Sequence, residues 1–378
     1  MKIRSEKIKN NIKNNIKNNR VLYITLSLCL YTIVVVLICA VNDNFAQGYS
    51  DTVSAFLRIA LSLVTGFLPF SIAELCVMII PLLVIFLIVR AVRNVIKKSF
   101  CLKCVVKKII VVVLCAFTVF MNVFGVCYFS KSLEDRLNLT RTFLTRKELY
   151  EDAVYTRTML EKASENVIFD ESGASVNPHS YLETDELVNK GYKVLSQSGV
   201  YKSFMIGQSK KIMLSPLMTY THISGMYMPF TGEANVNVNY PDYVTVFTIA
   251  HEKAHQRGIA SEDEANFMAF LACMASGDDY LKYSALMNMY DYYLDETLVQ
   301  DIEMYTELVD GTDNKIIGEM YAYYKFFEKY QSSSASKIAE SVNDTYIKVM
   351  GDEQGVKSYG LVIELYHAYI KKEGYLND

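Results

Sequence analysis

Hydrophobic positions are spread very unevenly along this chain. Three long stretches are almost free of charge: VLYITLSLCLYTIVVVLICAV (21–41), SIAELCVMIIPLLVIFLIV (71–89) with the single acid Glu74, and IIVVVLCAFTVFMNVFGVCYF (109–129). Each is long enough to form a transmembrane helix. A fourth apolar stretch, VSAFLRIALSLVTGFLPF (53–70), carries Arg58 and is interrupted by Gly66 and Pro69. Beyond residue 129 the apolar positions mostly recur at helical spacing. Helices are predicted over 146–167, 181–197, 241–256, 262–275, 278–293, 296–309, 314–330, 335–350 and 355–373. Strand character is confined to 199–214 and to 225–240, the second of which is punctuated by Gly and Pro and then alternates apolar or small residues with Asn. The predicted fold class is mainly α, of the α+β kind: three N-terminal transmembrane helices and a helical domain with a small sheet. The predicted division is a leader (1–20), a membrane domain (21–129) and an extracytoplasmic domain (130–378).

Charge adds orientation. Residues 1–129 carry 15 Lys/Arg against 4 Asp/Glu, whereas the remainder carries 23 against 37. Seven basic residues crowd into MKIRSEKIKNNIKNNIKNNR and seven more into the connector from Arg90 to Lys108, but 42–70 holds only Arg58. Basic loops stay cytoplasmic, so the N-terminus and 90–108 are expected inside, and 42–70 and everything after 129 outside. A full crossing at 53–70 would reverse the connector, so that segment is expected to be interfacial or re-entrant. Glu74 is expected at the outer interface, within reach of water. The repeated IKNN of the leader reads as low complexity. An acidic outer domain argues against nucleic acid as a partner; the expected partners are the lipid bilayer and a peptide or protein. Seven of the eight cysteines precede residue 130. The CLKC pair, Cys101 and Cys104, reads as part of a juxtamembrane loop.

The chemistry concentrates in NYPDYVTVFTIAHEKAHQRGIASEDEANF. Pro241 suits a helix start and Gly258 a helix end. Between them His251 and His255 stand four residues apart, on one helical face, with Glu252 about 100° around from His251. This is the HExxH arrangement, two imidazoles for one zinc ion with a general base beside them. Catalytic zinc needs a third ligand and an open position. Glu262, Asp263 and Glu264 follow at once, and Asn266 lies one turn beyond Glu262.

That order resembles the gluzincin metallopeptidases, and EDEAN resembles the ExEAD segment of their integral-membrane members. The resemblance implies Glu262 as third ligand, with Glu264 as runner-up, and Asn266 as the residue that holds a ligand histidine, although Asn replaces the usual acid. Together with the three spans and MYMPFTGEANVNV, the pattern resembles an uncharacterised bacterial membrane family of zincin-like proteins, domain of unknown function 3810. The expectation is a membrane-anchored Zn2+ peptidase in which Glu252 takes a proton from a metal-activated water. EANVNVN, with Glu233, Asn235 and Asn237, could be the edge strand along which a peptide lies. His222, Tyr227 and His367 are candidates for steadying the oxyanion. The alternatives are a helix whose histidines pair with Glu262 and Glu264, and a catalytically idle zinc-binding membrane sensor.

Overall fold

A computed structural model of the chain describes residues 19–201, 207–331, 334–350 and 361–373. The leader expected at 1–20 lies almost wholly outside the described residues. Three helices, α1 (Arg20–Val41), α4 (Ile72–Ile96) and α5 (Leu102–Val123), are long and apolar enough to cross a membrane. Most of their Leu, Ile and Val side chains face outward, as lipid permits and water does not. Between α1 and α4 lie α2 (Asp43–Tyr49), a π turn (Ser50–Ser54) and α3 (Ala55–Gly66). Polar contacts join the membrane helices: Asn122 Nδ2 donates to Thr32 Oγ1 (2.8 Å) and the Tyr49 hydroxyl to Asn122 Oδ1 (2.6 Å). The third span differs from its predicted 109–129. It starts earlier, and Gly125–Phe129 forms a 3-10 turn in which Val126 and Cys127 are buried. Apolarity there reflects burial within the protein rather than a continued helix.

The rest of the chain is built from α6 (Leu133–Leu137), α7 (Arg146–Ser164), α8 (Tyr181–Gln197), α9 (Ser215–Met218), α10 (Asp242–Gln256), α11 (Glu262–Ala275), α12 (Asp279–Gln300), α13 (Ile302–Asp310), α14 (Asn314–Glu328), α15 (Ser334–Val349) and α16 (Val362–Glu373). Capping boxes at Thr145 and Ser180 start α7 and α8, satisfying amides that the first turn leaves without partners. The core is rich in tyrosine. Tyr243, Tyr283, Tyr293 and Tyr366 are fully enclosed with Phe267, Leu160 and Ile249.

Strand content is smaller than the sequence suggests. β1 (Ile168–Phe169) and β2 (Ser175–Val176) form a short hairpin. β3 (Lys210–Lys211), β4 (Gly225–Met228) and β5 (Glu233–Val236) form a second sheet in the order β3-β5-β4, with β5 parallel to β3 and antiparallel to β4. The expected edge strand at 233–239 is therefore corrected: β5 is central and buried throughout, and β4 is the edge. Asn235 and Asn237 are turned to backbone, not to a ligand. Asn235 Nδ2 donates to the carbonyls of Met226 and Glu233, and Asn237 Nδ2 to that of Ile223.

The membrane helices and the helical body share a polar seam. Helix α3 buries Arg58, Ser62 and Thr65 and exposes Phe56, Leu63, Val64 and Phe67. That is the reverse of a water-facing amphipathic helix, and it suits lipid on the outer side. Gln256, at the end of α10, donates to Ser62 Oγ (3.2 Å). Lys210 Nζ reaches the carbonyls of Gly66 and Leu68 past the end of α3. Glu233 accepts from the Ile72 and Ala73 amides (3.0 and 2.9 Å), capping the positive end of α4. Glu74 was expected to reach water; instead it is buried and accepts from the Met213 and Leu214 amides (2.9 and 2.8 Å).

Candidate metal centre

Helix α10 carries His251, Glu252 and His255. It ends at Gln256, two residues before Gly258, whose positive φ of 93° few other residues tolerate, and the chain turns straight into α11. That sharp return brings Glu262, on the first turn of α11, against both histidines. His251 Nε2, His255 Nε2 and Glu262 Oε2 form a triangle with sides of 3.0, 3.1 and 3.3 Å. Ligands about 2.0–2.1 Å from a tetrahedral ion stand about 3.3–3.4 Å apart. The group is buried and could hold a metal ion.

Proton placement supports the same geometry. The Ile259 carbonyl, 2.8 Å from His255 Nδ1, can only accept, so the proton sits on Nδ1 and the Nε2 lone pair faces the triangle. Asn266 Oδ1 lies 2.7 Å from His251 Nδ1 and fixes that ring likewise. Two such lone pairs 3.0 Å apart repel unless a cation or proton lies between them. With a proton there, burial lowers the His255 pKa but the Glu262 charge overrides it, raising it to about 9. Burial opposes charge on Glu262, yet His255 and hydrogen bonds from both rings hold its carboxyl far below the usual range.

Glu252 lines the same cavity. Burial lifts its carboxyl to about 7, with the histidines opposing and Glu262 reinforcing, and its Oε2 has no hydrogen-bond partner among the described residues. The edge strand β4 passes directly over it. A Cβ at Gly225 would lie 2.6 Å from both Glu252 Oε1 and Thr248 Cγ2. Behind the site, Lys253 Nζ is buried against Asp185, Asn189 and the Gly207 carbonyl, tying α10 to α8.

The cavity, about 430 Å³, is walled by β4, by α15 and by Phe124 and Tyr128. Of the three residues weighed for the oxyanion, His222 and Tyr227 line it. His222 Nε2 is committed to the Tyr330 carbonyl (2.9 Å), whereas the buried Tyr227 hydroxyl has no hydrogen-bond partner among the described residues. His367 lies elsewhere, paired with Asp152 (2.7 Å) in the core. Glu264 also points away, accepting from the Leu133 amide (2.6 Å), so the runner-up ligand is not part of the triangle. Glu233 caps α4 and does not line the cavity. Tyr128 and Tyr346, whose hydroxyls stand 3.3 Å apart at the cavity wall, were not singled out by the sequence, since nothing local separates them from the other tyrosines.

The family described as "Protein of unknown function (DUF3810)" matches residues 49–366, so the chain belongs to that family. The match takes in the seam and the whole candidate metal site and begins beyond α1. No curated protein and no solved structure matches the chain.

Proposed function

We propose that this protein is a membrane-anchored zinc-dependent peptidase, with its N-terminus cytoplasmic and the helical body outside. The orientation rests on the basic leader and connector. One observation carries the catalytic reading: a buried carboxylate, Glu252, stands with an unpaired oxygen in the same cavity as a metal-binding triangle that it does not join. Holding zinc requires no such group, and a base beside the metal is what hydrolysis requires.

His251, His255 and Glu262 would hold the ion, which supplies Lewis acidity and an acidified water when bound. Glu252, whose carboxyl burial raises in the ion-free site, stands beside that position to take a proton and return it to the leaving amine. Edge strand β4 offers main-chain groups to an extended peptide. Tyr346 and Tyr227 line the cavity and could offer hydroxyls to a substrate carbonyl. Asn266 orients His251 without adding charge. The test is zinc content and peptide cleavage of the purified full chain beside Glu252→Gln. Bound zinc in both, with cleavage only by the wild type, is expected. Folded protein that retains no metal would sink the proposal. Metal without cleavage by the wild type would favour the idle sensor.

A further inference from the structure

We propose that the cleft takes its substrate from the bilayer: the juxtamembrane segment of a polypeptide anchored in the same membrane. This rests on the peptidase reading and names the substrate class of that site.

Two membrane helices fix the level of the site. Phe124, the residue that ends α5, lines the cavity, and its ring meets the His255 ring edge-on at 6.0 Å between centroids. The basic residues of α5, Lys103, Lys107 and Lys108, all lie near its start. Helix α5 has 22 residues, about 33 Å at 1.5 Å per residue, which just crosses a hydrocarbon layer of about 30 Å with its lysines at the near side. The far boundary of the bilayer therefore falls level with 124–129, the segment that supplies Phe124 and Tyr128 to the cavity wall. Helix α4 gives the same level independently. Its first turn is capped by Glu233, and Glu233 pairs across the ladder with Met228, the last residue of β4. The edge strand thus ends where α4 enters the apolar layer.

The rim matches that position. Phe230, just past β4, is 45% exposed and packs on Phe120 of α5 at 6.4 Å between centroids. Met226 of β4, which lines the cavity, is also exposed. Helix α15 is itself set against α5 through Tyr346 and Phe120 (6.3 Å). The polar groups, His251, Glu252, Glu262 and Asn266, lie on the floor. Exposed apolar groups such as Met226 and Phe230 mark a contact surface, and a rim dipped into the interface buries them. Among the described residues no strand pairs with the outer edge of β4, which favours a polypeptide over a lipid because it offers backbone pairing. An extended segment of about six residues along β4 spans about 20 Å, so the scissile bond should fall within about ten residues of the anchor.

The experiment uses the full chain, zinc-loaded, in liposomes. Three reporters carry the same cleavable segment: one directly beside a transmembrane anchor, one held about 30 Å off by a helical spacer of about 20 residues, and one without an anchor. The expected result is cleavage of the first at least about tenfold faster than the other two, abolished in Glu252→Gln. Equal cleavage of all three overturns the inference and leaves the peptidase reading standing. Preference for both anchored reporters alike would reduce it to local concentration and also overturns it. Cleavage of none overturns both readings.

Discussion

Replacing Gly225 by alanine adds one methyl group to β4, directly above the proposed base. The methyl carbon would lie 2.6 Å from Glu252 Oε1 and from Thr248 Cγ2, and 2.7 Å from Glu252 Cγ. Ordinary contact is about 3.5–4.0 Å, so the carboxylate must retreat by about 1 Å or the strand must lift. Alanine suits the extended backbone here, since Gly225 is not among the positive-φ glycines. The strain of overpacking costs about 1–3 kcal/mol, which a body with a core this extensive should survive. A displacement of about 1 Å at a catalytic group costs about 100-fold in rate, or about 2.7 kcal/mol in the barrier. His251, His255 and Glu262 are not in the path of the methyl, so zinc content should hold. The assay is kcat/KM on a cleaved peptide alongside metal analysis and a melting curve, with Gly48→Ala, where an added methyl meets nothing within 4 Å, as the control. Full activity in a folded, zinc-loaded Gly225→Ala protein would refute the reasoning, because Glu252 would then not act from where it sits. Loss of zinc together with activity would show damage to the whole site instead.

Asn266→Ala removes the acceptor that orients His251 and should weaken zinc binding by about 10–100-fold, measured by competition with a chelator; Asn266→Asp should restore it. Glu262→Gln should abolish stoichiometric zinc, whereas Glu264→Gln should leave zinc content unchanged, since Glu264 binds the Leu133 amide. Equal losses in both would reopen the choice of ligand. Arg58→Met removes donors to the carbonyls of Val123, Ser50 and Arg257. It should lower stability by about 2–4 kcal/mol, by analogy with other buried polar groups left unpaired, read as a lower unfolding temperature in detergent.

Local signals carried far in this sequence. Long apolar runs announced the three membrane helices, and the four-residue spacing of His251 and His255 survives in any helix, so that pair could be read directly. Glu262 was within reach because only a tight turn separates it from α10. What escaped was long-range. The Asn alternation in 233–239 suggested an exposed edge, but Asn235 and Asn237 serve backbone carbonyls and Asn239 donates to Thr219 Oγ1 and the Tyr330 hydroxyl, and no local pattern encodes the order of the sheet. Glu233 and Glu74 looked like acids near a cleft or near water; their partners are amides about 140–160 positions away in sequence, at 213–214 and 72–73. The expected division at residue 130 followed composition, which cannot register that Arg58 and Ser62 finish the end of α10.

That last contact has a consequence for timing. The final turn of α10 carries His255, and the carbonyl of Arg257 just beyond it is met by the Arg58 guanidinium. Arg58 is synthesised long before the metal helix and sits in a segment that must first settle at the membrane. Cofactor loading would then wait on insertion: a chain stalled in the cytosol would hold its histidines on an unfinished turn. Biogenesis itself would keep the proposed catalytic site dormant until the protein had reached its bilayer. Comparing zinc uptake before and after insertion in a cell-free translation system would test this hypothesis, and equal uptake without membranes would dismiss it.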